Sequence, residues 1–361
     1  MSLPADSLAI SEIALRLGCE LVVPGGYLKA RGLQSNAQDM QTAAGQVRIQ
    51  GIAPLGHATS ESLSFLANPK YLDDAKVSAA GAILCSKADA AVLADSTAAL
   101  LLVCQNPYAS FARISQHFFR VVHDFSGRAD QAWIDQSAVV ACDAVIFPFV
   151  FIGSGARVEE GSVLYPGVFV GAGSVIGKSC ILYPNSVVQA GCVLGAGCIL
   201  NPGAVIGGDG FGFAPDGNEN VKIPQIGGVR LGKNVEVGAN SSVDRGTISD
   251  TVIGDETKID SLVQVGHNVT TGRACFLAGQ CGIAGSTQLG DRVTLGGQVA
   301  VTGHINLASG VTVLGKAGVS KSLTQPGLYN GIPALPNREY LKREASIRRL
   351  IKKEKSPSAT N

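Results

Sequence analysis

The sequence predicts a mainly β protein organised around a parallel β-helix of hexapeptide repeats. From Ile134 to Val319, an aliphatic residue recurs at every sixth position through 28 slots, with two interruptions and one polar slot, Thr271. The chain has 45 glycines among 361 residues but only 6% aromatic residues, a balance typical of a solenoid packed with Val, Ile and Leu. A period of six fits neither a helix nor an alternating strand, so it indicates stacked repeats.

Six residues supply one short strand and one corner, so three units close a triangular coil of about 18 residues. The aliphatic residue of each unit points inward and stacks on its counterpart one coil away, about 4.8 Å along the axis. The 28 slots therefore predict slightly more than nine coils. Each coil buries its surface only against its neighbours, so the open ends of such an array need covers.

Residues 1–125 lack this period and predict a small α/β domain. Ser11 is predicted to cap a short helix that ends at Gly18. Asn68-Pro69 and Asn106-Pro107 each join a capping residue to a first-turn proline, so each predicts the start of a helix. Strands are predicted near residues 47–52, 63–66, 81–86 and 100–104. Residues 126–133 are the predicted linker to the solenoid, residues 134–322.

Two insertions interrupt the predicted solenoid. The longer one lies between Gly207 and Val229 and begins with a glycine-rich segment; the shorter one adds four residues between Val243 and Ile253. A long loop that leaves a regular coil is more often functional than decorative. Its glycines resemble a phosphate cradle, but no strand–turn–helix context or P-loop lysine accompanies them, so a nucleotide fingerprint is disfavoured.

Residues 323–361 form a predicted C-terminal helical extension, with Asn337 as a candidate cap. Between positions 338 and 355 the sequence carries eight Lys or Arg residues and three Glu residues. Such a helix is either a solvated cap on the last coil or a docking surface for an acidic partner. The sequence leaves both interpretations open.

Composition excludes some classes of protein. The net charge of +1 argues against an overall nucleic-acid binder. No apolar run approaches the ~18 residues of a spanning helix and no signal peptide opens the chain, so a soluble, cytoplasmic protein is expected. Five of the nine cysteines occupy the fifth position of a hexapeptide, where a small buried residue is required: Cys180, Cys192, Cys198, Cys275 and Cys281. We expect a packing role for them.

Two of the five histidines, His267 and His304, lie in the solenoid. One coil after His267 comes Gly285, and two coils after it comes Gly303, next to His304, so both histidines are expected on one face. A histidine outside the aliphatic slot points outward, where it can act as a base near neutral pH. Surface histidines are usually inert, but an aligned pair favours function. A third histidine at coil spacing is missing, so a three-ligand zinc site is disfavoured and no metal is expected.

Six motifs strengthen this interpretation when they are taken together and in order. They are LSFLANPKY (63–71), DGFGF (209–213), KIPQ (222–225), DRG (244–246), GHN (266–268) and GH (303–304). In this combination the chain resembles the UDP-3-O-acylglucosamine N-acyltransferase family of lipid A biosynthesis. The resemblance covers nearly the whole chain.

The resemblance implies a left-handed β-helix and a homotrimer with active sites between subunits. It implies transfer of a 3-hydroxyacyl group from the phosphopantetheine thioester of acyl carrier protein to the 2-amine of a UDP-linked, 3-O-acylated glucosamine, with no bound cofactor. His267 matches the general base of the family, and His304 matches a histidine that aids substrate or phosphopantetheine binding. Phe65, Asn68 and Tyr71 match the residues that contact uracil.

The expected mechanism assigns roles to two further residues. A backbone N–H is a suitable donor to the developing oxyanion, and Gly285, which has no side chain, leaves room for the acyl group. Asp260, seven residues before His267, is a candidate to orient the imidazole, although a solvated corner aspartate is an equal alternative.

Competing functions remain at this point. They are an O-acyltransferase acting on UDP-N-acetylglucosamine, an acetyl-CoA-dependent transferase and a non-catalytic scaffold. The separate N-terminal domain argues against the first, and the long loop with paired histidines argues against the last. Acyl length, and the choice between glucosamine and its 2,3-diamino analogue, stay open.

Overall fold

The computed structural model describes residues 7–34, 45, 47–119 and 122–354, with side chains up to residue 351. Lys355 and the side chains of Lys352 and Lys353, which the sequence assigns to the basic tail, lie outside this description. The chain forms two compact units, Met1–Asp124 and Phe125–Asn361. No helix in the described part is long and apolar enough to cross a membrane.

The first unit is an α/β domain around a five-stranded sheet. In spatial order its strands are Glu20–Val22, Leu100–Val103, Ala82–Cys85, Ser62–Phe65 and Gly51–Ile52. The first strand is antiparallel to its neighbour and the others are parallel. A separate antiparallel pair joins Leu8–Ala9 to Arg48–Ile49. The middle strand, Ala82–Cys85, is fully buried, as expected for a parallel strand covered on both faces.

Helices cover this sheet. They are Ile10–Leu17, Gly25–Arg31, Leu72–Val77, Lys87–Leu93 and Pro107–Phe118, with 3-10 turns at Leu55–His57 and Pro69–Tyr71. The side chain of Asn106 accepts a hydrogen bond from Ala109 N–H, which confirms the predicted cap. The cap assigned to Ser11 is wrong: the helix begins at Ile10, and the preceding Ala9 offers no side-chain cap. Burial of Ile10 and Ile13 holds this helix instead.

The second unit is the left-handed parallel β-helix, and its three faces are defined by their strands. Face 1 contains Trp133–Ile134, Phe151–Ile152, Phe169–Val170, Val187–Val188, Val205–Gly208, Ser242–Asp244, Gln264–Val265, Gly282–Ile283, Ala300–Val301 and Gly318–Val319. Face 2 contains Val139–Val140, Arg157–Val158, Val175–Ile176, Val193–Leu194, Val229–Leu231, Thr251–Ile253, Thr270–Thr271, Gln288–Leu289 and Asn306–Leu307. Face 3 contains Val145–Ile146, Val163–Leu164, Ile181–Leu182, Ile199–Leu200, Glu236–Val237, Lys258–Ile259, Phe276–Leu277, Thr294–Leu295, Val311–Val313, Gly327–Asn330 and Leu335–Pro336.

The register of these strands follows the predicted period. Ile146 pairs with Leu164, so residues 18 positions apart are stacked. Across the shorter insertion the separation rises to 22, as Val237 pairs with Ile259, which confirms the four extra residues. The aliphatic slots form the buried core, although Ile134 and Val140 in the first coil are only half-buried. Thr271 fits its slot because its hydroxyl accepts a hydrogen bond from Gly254 N–H at 2.9 Å.

The five cysteines at the fifth position of a hexapeptide are all buried, as predicted. Burial is the main cause that raises the pKa of Cys192, Cys275 and Cys281 above the ordinary thiol value. A raised thiol pKa lowers the population of the reactive thiolate. Cys192, Cys275 and Cys281 therefore act as small apolar packing groups.

After the last coil, the chain forms the predicted C-terminal helix, Asn337–Glu354. Asn337 is its first residue. Several apolar side chains of the helix are exposed: Leu341, Ile347, Leu350 and Ile351. Arg343 lies over the ring of Tyr340, with its guanidinium carbon 5.3 Å from the ring centroid.

Candidate active site

One edge of the solenoid collects both insertions and both histidines. The corner between face 1 and face 2, here called the 1–2 corner, gives rise to the long insertion after Val205–Gly208 and to the short one after Ser242–Asp244. The next coil places His267 at the same corner, and two coils further on His304 occupies it. The physical reason is the constant length of a coil, which brings residues about 18 positions apart to one edge. This edge is the candidate active site.

The imidazole of His267 is half-buried between the long insertion and the following coil. A Cβ built on Gly285 would lie 2.6 Å from both Nε2 and Cε1 of this ring, and one built on Gly210 would lie 2.5 Å from its Cβ. Any larger residue at either position would displace the histidine. The sequence interpretation gave the space over Gly285 to the acyl group; in the structure the imidazole itself occupies it.

The backbone of Gly285 has a free donor. Its carbonyl accepts a hydrogen bond from His304 N–H at 3.1 Å, whereas its own N–H donates to no protein acceptor among the described residues. A backbone N–H beside a base is suited to stabilise a developing oxyanion.

Polar side chains surround the other ring nitrogen of His267. Nδ1 lies 3.0 Å from Asn268 Oδ1 and 3.5 Å from Thr247 Oγ1. The Thr247 hydroxyl in turn donates to Oε1 of Gln225 at 3.0 Å, and Gln225 is buried at the end of the long insertion. Both insertions therefore contribute to the environment of the histidine.

A buried carboxylate, Asp244, belongs to the same environment. Ser242 Oγ donates to its Oδ1 at 3.0 Å and Gln264 Nε2 donates to its Oδ2 at 2.7 Å. Burial raises the pKa of Asp244 above the usual carboxyl value, while these two bonds and the nearby charge of His267 act in the opposite direction. The sequence analysis included Asp244 in the DRG motif but predicted no role for it. Its position just before the short insertion, at the corner that carries His267, could have indicated one.

The structure does not bring Asp260 to His267. Asp260 lies at the corner between face 3 and face 1, where its carboxylate accepts from Ser261 N–H at 2.7 Å and from Gly279 N–H at 2.9 Å. Corners follow each other every six residues, so a residue seven positions earlier belongs to the preceding corner. The observed contacts are those of a turn-capping aspartate.

His304 lies at the 1–2 corner but in a different position within its coil. Its φ of 60° matches those of Asn268 and Ser286, at 59° and 60°, so it is the coil equivalent of these residues and not of His267. This explains the offset of one residue in the sequence count. His304 is exposed.

In the first unit, Phe65 is the last residue of a parallel strand, Ser62–Phe65, and Asn68 and Tyr71 follow it. Ligands of parallel sheets bind outside the carboxyl ends of their strands. Phe65 stacks on Phe111 with ring centroids 4.1 Å apart. Asn68 Oδ1 accepts from Lys70 N–H at 3.0 Å, so it is a turn cap, while its amide NH₂ stays available. Tyr71 is 48% exposed.

Sequence reasoning missed Tyr108 in this group. Its ring centroid lies 5.9 Å from that of Phe65, and its side chain is 65% exposed. The parallel between Asn68-Pro69 and Asn106-Pro107, each placing a tyrosine shortly after the proline, was the signal that pointed to it.

A hexapeptide solenoid with a half-buried imidazole beside a free backbone donor defines a transferase of the bacterial hexapeptide class. Residues 173–208 match the family model described as bacterial transferase hexapeptide (six repeats). Residues 46–117 match a second model, UDP-3-O-(3-hydroxymyristoyl) glucosamine N-acyltransferase, LpxD.

Relatives of similar length extend these matches. The chain is 51% identical over 315 residues to a UDP-3-O-acylglucosamine N-acyltransferase of Cupriavidus metallidurans, covering 84% of this chain and 85% of the relative. It is 49% identical over 319 residues to the protein of the same name from Burkholderia multivorans, covering 85% and 89%. The chain therefore belongs to the UDP-3-O-acylglucosamine N-acyltransferase family and is an acyltransferase.

A solved structure supports the fold alone. The UDP-N-acetylglucosamine acyltransferase of Arabidopsis matches with a TM-score of 0.52 at 21% identity, over 64% of this chain and 86% of that one. The match agrees with the β-helix that both chains share.

Proposed function

We propose that this protein transfers a 3-hydroxyacyl group to the 2-amine of UDP-3-O-acylglucosamine, in lipid A biosynthesis, with His267 as the general base. The observation that carries the proposal is the half-buried imidazole at the 1–2 corner, whose Nε2 lies over Gly285. A histidine side chain is suited to proton transfer near neutral pH.

The proposed reaction is attack of the amine on the thioester carbonyl. Nε2 of His267 removes a proton as the amine nitrogen attacks the thioester carbonyl, and a C–N bond forms. The Gly285 N–H donates to the oxygen that becomes negative. The C–S bond then breaks, and the thiolate leaves with the proton returned from the imidazolium. An amide and a free thiol are the products.

The acceptor is held through its nucleotide. Phe65 and Tyr71 offer aromatic surface to a uracil ring, and the amide NH₂ of Asn68 offers hydrogen bonds. Tyr108 adds exposed aromatic surface beside Phe65.

The donor is the phosphopantetheine thioester of acyl carrier protein, so the protein needs no bound cofactor of its own. The exposure of His304 at the 1–2 corner supports a contact with the phosphopantetheine arm. The basic C-terminal helix supports docking of an acidic carrier protein. Closed cyclic symmetry, as in a homotrimer, suits a site built on an exposed edge. Nine free thiols support a reducing, cytoplasmic setting.

The experiment is an assay of the purified protein with UDP-3-O-acylglucosamine and a mixed donor pool. The pool contains 3-hydroxyacyl thioesters of acyl carrier protein and of coenzyme A, together with acetyl-CoA, and mass spectrometry identifies the product. We expect an N-linked 3-hydroxyacyl product that requires the carrier-protein donor. An acetylated product, or O-acylation of the sugar, would remove the proposed reaction.

A further inference from the structure

The orientation of the Asn268 amide at the 1–2 corner is fixed by backbone groups. Its Oδ1 accepts from Thr247 N–H at 3.0 Å, and its Nδ2 donates to the carbonyl oxygen of Ser249 at 2.9 Å. A backbone N–H can only donate and a carbonyl can only accept, so the oxygen and nitrogen positions are determined. The oxygen therefore faces His267, and Nδ1, 3.0 Å away, has to supply the proton of that hydrogen bond.

Thr247, the second polar neighbour of Nδ1, also presents a hydrogen-bond acceptor to this nitrogen. Gln225 Nε2 donates to the carbonyl oxygen of Ile223 at 3.0 Å, which turns its Oε1 toward Thr247. The Thr247 hydroxyl donates its proton to that Oε1 at 3.0 Å, so its lone pairs are left facing Nδ1. Both groups next to Nδ1 are thus acceptors.

We propose that Asn268, supported by Thr247 and Gln225, is a positioning residue that holds His267 as the Nδ1–H tautomer. The Nε2 lone pair, on the side of the ring that lies against Gly285, is then available to take a proton. This inference rests on the proposed role of His267 as the base. A neutral amide, in place of the carboxylate expected at position 260, orients the ring without adding negative charge beside it.

The backbone at Asn268 permits a clean deletion. Its φ of 59° lies in the left-handed region, which glycine adopts without strain. Asn268→Gly therefore removes the amide and leaves the backbone unstrained. Asn185 has the same φ of 59° at another corner of the solenoid, so Asn185→Gly is a matched control.

The first test measures the tautomer of His267 and does not depend on catalytic activity. The full chain is labelled with ¹⁵N-histidine, and nitrogen shifts are recorded at a pH where the imidazole is neutral. The His267 signal is assigned by its loss in His267→Gln. We expect the proton on Nδ1 in the unmodified protein and in Asn185→Gly, and on Nε2 or exchanging between the two nitrogens in Asn268→Gly. A proton on Nε2 in the unmodified protein, or no change in Asn268→Gly, would overturn the proposal.

The second test is kinetic. Asn268→Gly should lower kcat by about 10- to 100-fold with little change in KM, because the wrong tautomer removes the basic lone pair. Asn268→Asp keeps the acceptor but adds a negative charge that stabilises the imidazolium, so the acid limb of its kcat/KM profile should move to higher pH. The charged groups at the 1–2 corner, namely Asp244, Asp209 with its partner Lys222, and Arg245, stay unchanged in both variants.

A purely structural role makes different predictions. If Asn268 only anchors the short insertion, Asn268→Gly lowers the melting temperature, and the pH profile of Asn268→Asp stays where it is; that pattern would overturn the proposal. If His267 is not the base, His267→Gln keeps its turnover. The tautomer of His267 in the unmodified protein can still be measured in that case, so the two failures are distinguishable.

Discussion

The position of His267 is set both by the adjacent Asn268 and by residues that are distant in the sequence. Two glycines, Gly210 and Gly285, leave the volume that the ring fills, and the Asn268 amide accepts from its Nδ1. The contacts of His267 come from Asn268, from the two insertions and from the next coil. A substitution at any of these positions is therefore expected to change the position of the imidazole.

The first prediction concerns Gly285. In Gly285→Ala the added Cβ would lie 2.6 Å from Nε2 of His267, so the imidazole has to move and turnover should fall by about 100-fold. Gly282→Ala, one strand earlier in the same coil, is the control because its Cβ meets nothing within 4 Å. Steady-state rates and melting temperatures of the two variants decide the matter. Equal activity in both would show that the ring position is not critical.

The second prediction concerns the base itself. His267→Ala should lower kcat by roughly 10²–10⁴-fold. The melting temperature should change little, because the side chain lies outside the aliphatic slots that form the core. Turnover close to that of the unmodified protein would rule out the assignment.

At the scale of elements, the two insertions are anchored to each other where they rejoin the solenoid. Asp250, at the end of the short insertion, accepts from Gly228 N–H at 2.7 Å and also pairs with the Nε–H of Arg230, at the end of the long one. The hydrogen bond from Gly228 N–H and the pairing with Arg230 lower the pKa of Asp250 below the usual carboxyl value. The ionised carboxylate therefore favours the folded state.

This gives a third prediction, for pH dependence. A carboxylate whose pKa is lower in the folded state stabilises the fold at pH values above its unfolded-state pKa. This contribution to the unfolding free energy is lost as the pH falls through the folded-state pKa. Asp250→Asn should lose up to about 1 kcal/mol of unfolding free energy at pH 7, a small amount because the pair is near the surface. Below about pH 3 the difference from the unmodified protein should vanish. Thermal unfolding between pH 7 and about pH 2 measures this, with Asp216→Asn in the exposed hairpin as the control. A difference that does not depend on pH would contradict a charge effect.

Some core positions and helix boundaries could be predicted from a few neighbouring residues. The six-residue period predicted the aliphatic slots, and Asn106-Pro107 predicted the helix Pro107–Phe118, because each signal is contained in a few neighbouring residues. Ser11 failed as a cap because the helix begins at the buried Ile10, two residues earlier than a cap at Ser11 implies. The hairpin of Phe213–Asp216 with Glu219–Lys222 was not predicted, since proline and glycine obscure its alternation.

At the scale of the whole molecule, the two units carry different parts of the proposed reaction. The aromatic group around Phe65 belongs to the first unit and His267 to the second. Nucleotide binding and chemistry should therefore respond to separate mutations.

The fourth prediction tests this separation. Tyr71→Ala should weaken binding of UDP by about 10-fold, since stacking and a hydrogen bond are lost, and should leave carrier-protein binding unchanged. Val92→Ala, an exposed change on another helix of the same unit, is the control. Calorimetric titration with UDP measures the effect. Unaltered affinity would mean that this group does not hold the uracil.

The fifth prediction concerns the basic tail. Reversing Arg348, Arg349, Lys352 and Lys353 to Glu should raise KM for the carrier-protein thioester several-fold, because opposite charges speed encounter over a Debye length of about 8–10 Å. The effect should be largest at low salt and absent with a short phosphopantetheine thioester. KM measured for both donors at two salt concentrations decides between docking and a solvated cap. Equal shifts for the two donors would leave only the cap.

The sequence by itself determined the solenoid, its 28 slots, the two insertions and the corner that carries His267 and Gly285. These follow from a fixed period, since counting residues in a regular coil assigns each one to a face or a corner. The buried cysteines followed from the same count.

Only the tertiary structure decided which polar groups meet the imidazole. Counting offered Asp260 as a candidate, and it lies at another corner. Thr247, Gln225 and Asp244 reach the site from segments next to or within the insertions. Insertions break the period, so residue counts across them no longer give positions. Hydrogen-bond direction also depends on how each side chain is turned by its own partners, and those partners become neighbours only when the coils stack.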